Sequence, residues 1–261
     1  MIIALVSLNQ AWLDKNENIR KCNACIDKAV SFGAKLIVFP EMTLTGFSMD
    51  AEKISEDYFD SQTIDYFKEK SITKKISIIF GLCLKSINKY TNNAIYIDSL
   101  GVVIGNYSKI HPFSFAGEEK VYSAGNHITV VNTEDINIGL TVCYDLRFPE
   151  LFSAISKTSG LIVNIANWPQ KRIDHWNILL KARAIENQIF LAGINRTGID
   201  GNNLKYQKSS KAINPNGDEL ISIFSDEVID IVNIDFNYLK EFRKNFSTTQ
   251  DRKPILYKKI L

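Results

Sequence analysis

Short apolar runs alternate with amphipathic stretches from one end of the chain to the other. Strand-like runs stand at "IIALVSL", "KLIVFP", "ISIIFGLCL", "NAIYID", "GVVIGNYSKI", "HITVVN", "INIGLTVCYD", "GLIVNIAN", "IFLAGINR", "KAINPNGDELISIF" and "EVIDIVNID". Helical periodicity fills the stretches at about 15–32, 60–75, 148–158, 174–188 and 236–245. Short, fully apolar strands separated by helices predict buried sheets covered by helices, an α/β fold. Neighbouring strands at about 77–110 and 205–235 have no helix between them and call for hairpins, one of them turned by "NPNGDE", where Asn216-Gly217 suits a positive φ.

The first helical stretch also settles how its cysteines read. Ile19, Cys22, Ile26, Ala29 and Val30 fall on one stripe, so the Cys22–Cys25 spacing reads as core packing. No second Cys or His pair completes a zinc set.

Among the 261 residues there is no Pro/Gly/Ser-rich linker, low-complexity tract or charge block at which to divide the chain, so one domain over residues 1–261 is expected. The apolar start "MIIALVSLNQ" lacks a basic flank and a small-residue cleavage pattern and reads as a core strand. No apolar run approaches the roughly 20 residues that cross a bilayer, which makes a membrane role unexpected and the cytoplasm the default location. With 31 basic against 29 acidic residues and a net charge of +2, nucleic acid is not the expected partner.

Chemistry collects where strands end. "GAKLIVFPE" delivers Glu41, "GNYSKI" delivers Lys109 and "INIGLTVCYD" delivers Cys143, and ligand sites in α/β sheets lie beyond such ends. Each alone has a plain reading: a solvent-facing carboxylate, a surface lysine, a small buried residue. Together they form a set. A thiol with a pKa of ~8.5 must lose its proton to attack a carbonyl; a carboxylate can take that proton, and an ammonium can stabilise the tetrahedral oxyanion. His111, two residues after Lys109, would matter to a Cys–His hydrolase, but the Glu, Lys and Cys set makes it unnecessary. His175 reads as a loop-orienting or partner-facing residue, and "GIDGNN" as a loop without a phosphate-binding pattern.

At these residues the chain resembles the nitrilase, or carbon–nitrogen hydrolase, superfamily. "FPEMTLTGF", "YSKIHPF" and "CYDLRFPEL" match its Glu, Lys and Cys blocks in order and separation, and "NIANWPQKRIDHWNILLKARAIENQIFLAGINRTG" and "INPNGDEL" extend the likeness, which is closest to the omega-amidase branch. The resemblance implies a four-layer αββα sandwich that dimerises to αββα-αββα. It implies Glu41 as general base, Lys109 as stabiliser of the tetrahedral intermediate, Cys143 as nucleophile and the Tyr144 backbone N–H as an oxyanion donor. A further family glutamate falls on Glu118, chosen over Glu119 by its spacing to Ala124-Gly125. No metal or organic cofactor is called for.

The implied reaction is hydrolysis of a small carboxylate-bearing amide, such as 2-oxoglutaramate, to acid and ammonia through a thioester. Arg147, four residues after Cys143, is a candidate anchor for the substrate carboxylate; the alternative is a structural ion pair with Asp145 or Glu150. Asn167 and Trp168 are candidates for a pocket-lining loop, with a core or dimer role for Trp168 as the alternative. An N-carbamoyl amino acid hydrolase, a broad aliphatic amidase and a catalytically silent scaffold are the rival functions.

Overall fold

Side-chain alternation along the strands decides the layers. In the first strand, Ile2–Val6, Ile3 and Leu5 enter one core cluster while Ala4 and Val6 enter another. The same division recurs in Leu36–Val38, where Leu36 and Val38 face the first cluster and Ile37 the second. A strand apolar on both faces must be covered on both. Here one face meets a second sheet and the other meets helices, as seen in a computed structural model that describes residues 1–87 and 89–260.

The larger sheet has eight strands and the smaller five, with a separate two-stranded ribbon. The first core cluster lies between the sheets: Ile3, Leu5, Leu36, Val38 and Ile79 of one interdigitate with Ile138, Leu140, Val142, Leu161, Val163, Ile165 and Ile194 of the other. Helices Lys15–Ser31 and Gln62–Lys74 cover the outer face of the larger sheet through Cys22, Ile26, Ala29, Ile64 and Phe67. Helices Pro149–Ile155 and Ile173–Asn187 cover the smaller through Leu151, Phe152, Ile155, Trp176, Leu180 and Ala184. The layers therefore run αββα, as expected. Cys22 and Cys25 are buried, unbonded core residues.

Both sheets have parallel centres with antiparallel flanks. In the larger, Ile2–Val6 runs parallel to Leu36–Val38, which runs parallel to Ser77–Ser86. In the smaller, Ile138–Val142, Leu161–Ala166 and Phe190–Asn195 are parallel neighbours. Glu41 follows a strand end in one sheet, and Cys143 and Asn167 follow strand ends in the other. Face-to-face packing of the sheets brings these ends together.

Two strand expectations need correction. "INIGLTVCYD" leaves the strand at Val142, and Cys143–Arg147 forms a 3-10 turn. The two halves of "KAINPNGDELISIF" do not form a regular hairpin about "NPNGDE": beyond a single Ile213–Glu219 bridge, Lys211–Ile213 pairs with Phe190–Asn195 in the smaller sheet, whereas Ser222–Ser225 pairs with Ile229–Asn233 in the larger. The turn itself forms, with Asn214 Oδ1 accepting from the N–H groups of Asn216 and Asp218 at 2.9 and 3.0 Å. Only Gly217 of the Asn216-Gly217 pair takes a positive φ, at 89°. The short helices Ala51–Ile54 and Pro254–Ile260 were not foreseen. Among the described residues, no helix is long and apolar enough to cross a membrane.

One glycine ties the fold to what the strand ends carry. A Cβ on Gly81 would stand 2.2 Å from the backbone nitrogen of Met42 and 2.7 Å from Glu41 Cα, so the segment bearing Glu41 rests directly on the strand beneath it. Gly81→Ala is expected to destabilise the protein by about 1–3 kcal/mol through overpacking, read as a lowered urea midpoint with an unchanged m-value.

Candidate active site

The sharp turn after Val142 has an identifiable cause. Cys143 adopts φ 48°, a left-handed conformation that costs a non-glycine residue about 1–2 kcal/mol. Asp145, fully buried, holds the chain there. Its Oδ2 accepts from the Val142 N–H at 3.0 Å and the Tyr107 hydroxyl at 2.8 Å, and its Oδ1 accepts from the His111 N–H at 3.0 Å. The His111 ring meets the same carboxylate, Nδ1 to Oδ1 at 2.8 Å, and stacks on Phe148 with centroids 3.7 Å apart. His111 is thus committed to the turn. The Cys143 thiol, at the start of that turn, points toward the Asn167 carbonyl, 4.0 Å away.

Lys109 occupies the middle of a buried network. Its backbone is fixed by the Lys109 N–H donating to the Asn92 carbonyl and by the Gly125 N–H donating to the Lys109 carbonyl, both at 2.8 Å. The side chain is 2% exposed, with Nζ 2.7 Å from Glu118 Oε2 and 3.3 Å from Glu41 Oε1. Asn92 Nδ2 bridges the two carboxylates, donating to Glu41 at 2.7 Å and to Glu118 at 3.1 Å. Glu41 Oε2 accepts from the Asn167 N–H at 2.8 Å, and Glu118 Oε2 accepts from the Phe113 N–H at 2.5 Å. Glu118 is fully buried while its neighbour Glu119 is exposed.

The charges act on one another. Burial alone would pull the Lys109 ammonium down, but Glu41, Glu118 and Cys143 outweigh it and hold its pKa above the usual lysine range. Burial pushes the Cys143 thiol up, the Glu41 carboxylate pushes it further, and Lys109 offsets only part of this. The resting thiol is therefore protonated at neutral pH beside a carboxylate able to receive its proton.

Glu41, Lys109, Cys143, Tyr144, Arg147, Asn167 and Trp168 all line one cleft. Glu118 stands behind Lys109. Asn167 is more than a wall residue: besides its N–H bond to Glu41, its side-chain amide donates to the Glu41 carbonyl at 2.7 Å. Trp168 serves both of its expected roles, lining the cleft and packing 5.4 Å from Trp176 in the helix-side core. The alternative of an Asp145 or Glu150 ion pair for Arg147 is not realised. Among the described residues no carboxylate lies within ion-pair distance of Arg147, whose guanidinium sits 4.8 Å above Trp168 and 5.8 Å above Tyr144, with Nη2 3.2 Å from His175 Nδ1.

Several cleft residues escaped the sequence reading. Phe113, Arg172, Leu204 and Tyr206 are among them, the last two arriving from the segment after "GIDGNN". Asn92 did leave a signal: it shares a strand face with Ala94 and Tyr96, both of the inter-sheet core, and a polar residue in that register requires a partner.

A carbon–nitrogen hydrolase family model matches residues 2–244. The chain therefore belongs to the carbon–nitrogen hydrolase family. It is 33% identical over 250 residues to the omega-amidase YafV of Escherichia coli K12, covering 95% of each chain. To the 2-oxoglutaramate amidase of Paenarthrobacter nicotinovorans it is 34% identical over 233 residues, 84% of this chain and 79% of that one. The fold matches XC1258 from Xanthomonas campestris, a CN-hydrolase superfamily protein with an arsenic adduct in its active site, at a TM-score of 0.90 and 30% identity over 97% of each chain. The chain is an amidase acting on carbon–nitrogen bonds other than peptide bonds.

The electrostatics give a pH-dependent outcome. Alkylation of Cys143 by iodoacetamide, followed by peptide mass spectrometry, is expected to rise with pH to a midpoint above the ordinary thiol range. Glu41→Gln removes a negative charge that disfavours the thiolate, so its midpoint is expected at lower pH. An unchanged or higher midpoint would show that Glu41 does not act on the thiol.

Proposed function

We propose that this enzyme is a cysteine-dependent omega-amidase, converting a small amide that bears a carboxylate, of the 2-oxoglutaramate type, into the acid and ammonia. The observation that carries the reading is the convergence of a protonated thiol, a buried carboxylate and a compensated ammonium on one cleft.

Cys143 attacks the amide carbonyl as its proton passes to Glu41, and the carbonyl electron pair moves onto oxygen. Lys109 and the Tyr144 backbone N–H stabilise that oxyanion. Collapse of the tetrahedral species breaks the C–N bond, and Glu41 returns the proton to the departing nitrogen, leaving a thioester and ammonia. Glu41 then takes a proton from water, whose oxygen attacks the thioester; collapse expels the thiolate, which recovers its proton, and the acid is released. Glu118 acts through Lys109, fixing the ammonium at 2.7 Å. Asn167 fixes Glu41, and Trp168 with Arg147 shapes the substrate end of the cleft.

The omega preference draws on two supports: the relatives named omega-amidase and 2-oxoglutaramate amidase at 33% and 34% identity, and the unpaired Arg147 guanidinium, suited to two-pronged carboxylate binding. An N-carbamoyl amino acid hydrolase would use the same machinery and the same arginine. In this reading the whole chain serves as one catalytic unit in the cytoplasm, where its four free cysteines stay reduced. It acts as a homodimer, for which Ile178 and Ile185, 65% and 51% exposed on the helix Ile173–Asn187, provide an apolar face.

Purified protein is expected to release ammonia from 2-oxoglutaramate, while Cys143→Ala, folded by circular dichroism, releases none. Turnover of N-carbamoyl-β-alanine alone would replace the omega reading, and activity retained in Cys143→Ala would remove the thiol from the mechanism.

A further inference from the structure

The cleft holds a second guanidinium that the proposed chemistry does not use. Arg172 ends the 3-10 turn Gln170–Arg172, at the start of the helix Ile173–Asn187, and lines the same cleft as Cys143 and Arg147. Its guanidinium lies 5.3 Å above the Phe113 ring, and its backbone carbonyl accepts from the Trp168 indole N–H at 2.8 Å. Phe113 is in turn 4.7 Å from Tyr144, and Arg147 sits over both Tyr144 and Trp168. The two arginines thus flank one aromatic wall. Among the described residues, neither has a carboxylate within ion-pair distance.

Like charges gathered without a counterion are costly. Burial lowers the pKa of Arg147; Tyr144 offsets part of this, and the neighbouring Arg172 adds to the lowering. Among the described residues, the only acidic one lining the cleft is Glu41, and its oxygens are already engaged by Lys109, Asn92 and the Asn167 N–H. Counted formally, Lys109 with Glu41 and Glu118 carries one net negative charge and the two arginines carry two positive ones. The site is left one anion short of neutrality.

We propose that Arg172 is a specificity-determining residue which, with Arg147, clamps the carboxylate of the substrate between two guanidiniums. A carboxylate has two oxygens and about four lone-pair positions, so one two-pronged arginine leaves acceptor capacity for a second. The clamp restricts efficient turnover to amides carrying a carboxylate and excludes neutral amides of similar length, which leave both cations unpaired. This inference rests on the proposed amidase reading and adds a residue to its substrate side.

The test compares wild type, Arg172→Gln and Arg172→Lys on 2-oxoglutaramate, succinamate and neutral butyramide. In Arg172→Gln the ratio of kcat/KM for the carboxylate amides to that for butyramide is expected to fall about tenfold or more, mainly through KM. Arg172→Lys is expected to recover part of the ratio, since charge is kept and the fork is lost. An equal fall on all three substrates would assign Arg172 a structural role and overturn the inference, as would an unchanged ratio. Calorimetric titration of glutarate into Cys143→Ala and into Cys143→Ala/Arg172→Gln separates this inference from the amidase reading, because it needs no turnover. Weaker glutarate binding in the double variant supports the clamp even if 2-oxoglutaramate is not hydrolysed; equal binding removes Arg172 from it even if hydrolysis is robust.

Discussion

The buried Lys109 ammonium is the constraint on which the site depends. A charge removed from water must be compensated by nearby opposite charge and hydrogen bonds, or the side chain will not stay charged. Compensation here comes from two glutamates delivered by separate segments, one following Leu36–Val38 and one in the 3-10 turn Glu118–Lys120, joined by Asn92 from the strand Lys89–Ile97. Three separate parts of the chain must arrive together for any of them to be stable. The two-sheet core supplies that registration, since Ala94 and Tyr96, on the same strand face as Asn92, pack against the other sheet. Gly81 shows how little slack remains, for one added methyl would displace the backbone that carries Glu41.

A second constraint acts at Cys143. Its left-handed backbone is held from outside by the fully buried Asp145, which takes hydrogen bonds from Val142, Tyr107 and His111. Strained conformations persist when the surroundings over-determine them, and three donors on one carboxylate do so. The turn sets Cys143 in the wall of the cleft, where burial and the Glu41 carboxylate raise the pKa of its thiol. On the proposed path reactivity is thereby deferred: the thiolate becomes favourable only as its proton moves to Glu41 and its charge moves onto the substrate oxygen near Lys109.

What the sequence could reveal followed from local rules. Glu41, Lys109 and Cys143 were legible because each ends an apolar strand, and strand ends in α/β sheets are where ligands bind; the order and separation of their motifs supplied the family. Buried sheets covered by helices were legible because short, fully apolar strands are separated by helical stretches; the four-layer order came with the family likeness. Asn92 carried no motif, and its importance emerges only once the strand pairing aims it at two glutamates. Asp145 looked like a rival partner for Arg147, but the turn at Cys143 points its carboxylate into the protein. Arg172 lies at the start of an amphipathic helix, where a basic residue ordinarily reads as solvated. The stretch at 211–224 read as two strands of a hairpin because "NPNGDE" supplies a turn between apolar runs, yet periodicity is silent on which sheet each half joins.

Charge also bears on how the proposed cycle ends. Hydrolysis turns an amide with one carboxylate into an acid with two, and the new negative charge forms beside Glu41 and Glu118, where Lys109 is already shared between two carboxylates. The departing ammonia is the neutral form at the moment of cleavage and takes no charge from the site. At an interaction distance of about 4 Å, two like charges oppose each other by ~1 kcal/mol in water and by ~4 kcal/mol at the lower dielectric near a protein surface. While the oxyanion exists Glu41 holds the thiol's proton and is neutral; once Glu41 is ionised again, a product carboxylate in the same place faces two carboxylates sharing one ammonium. Binding at the arginine end and repulsion at the glutamate end give the substrate a reason to enter and its product a reason to leave.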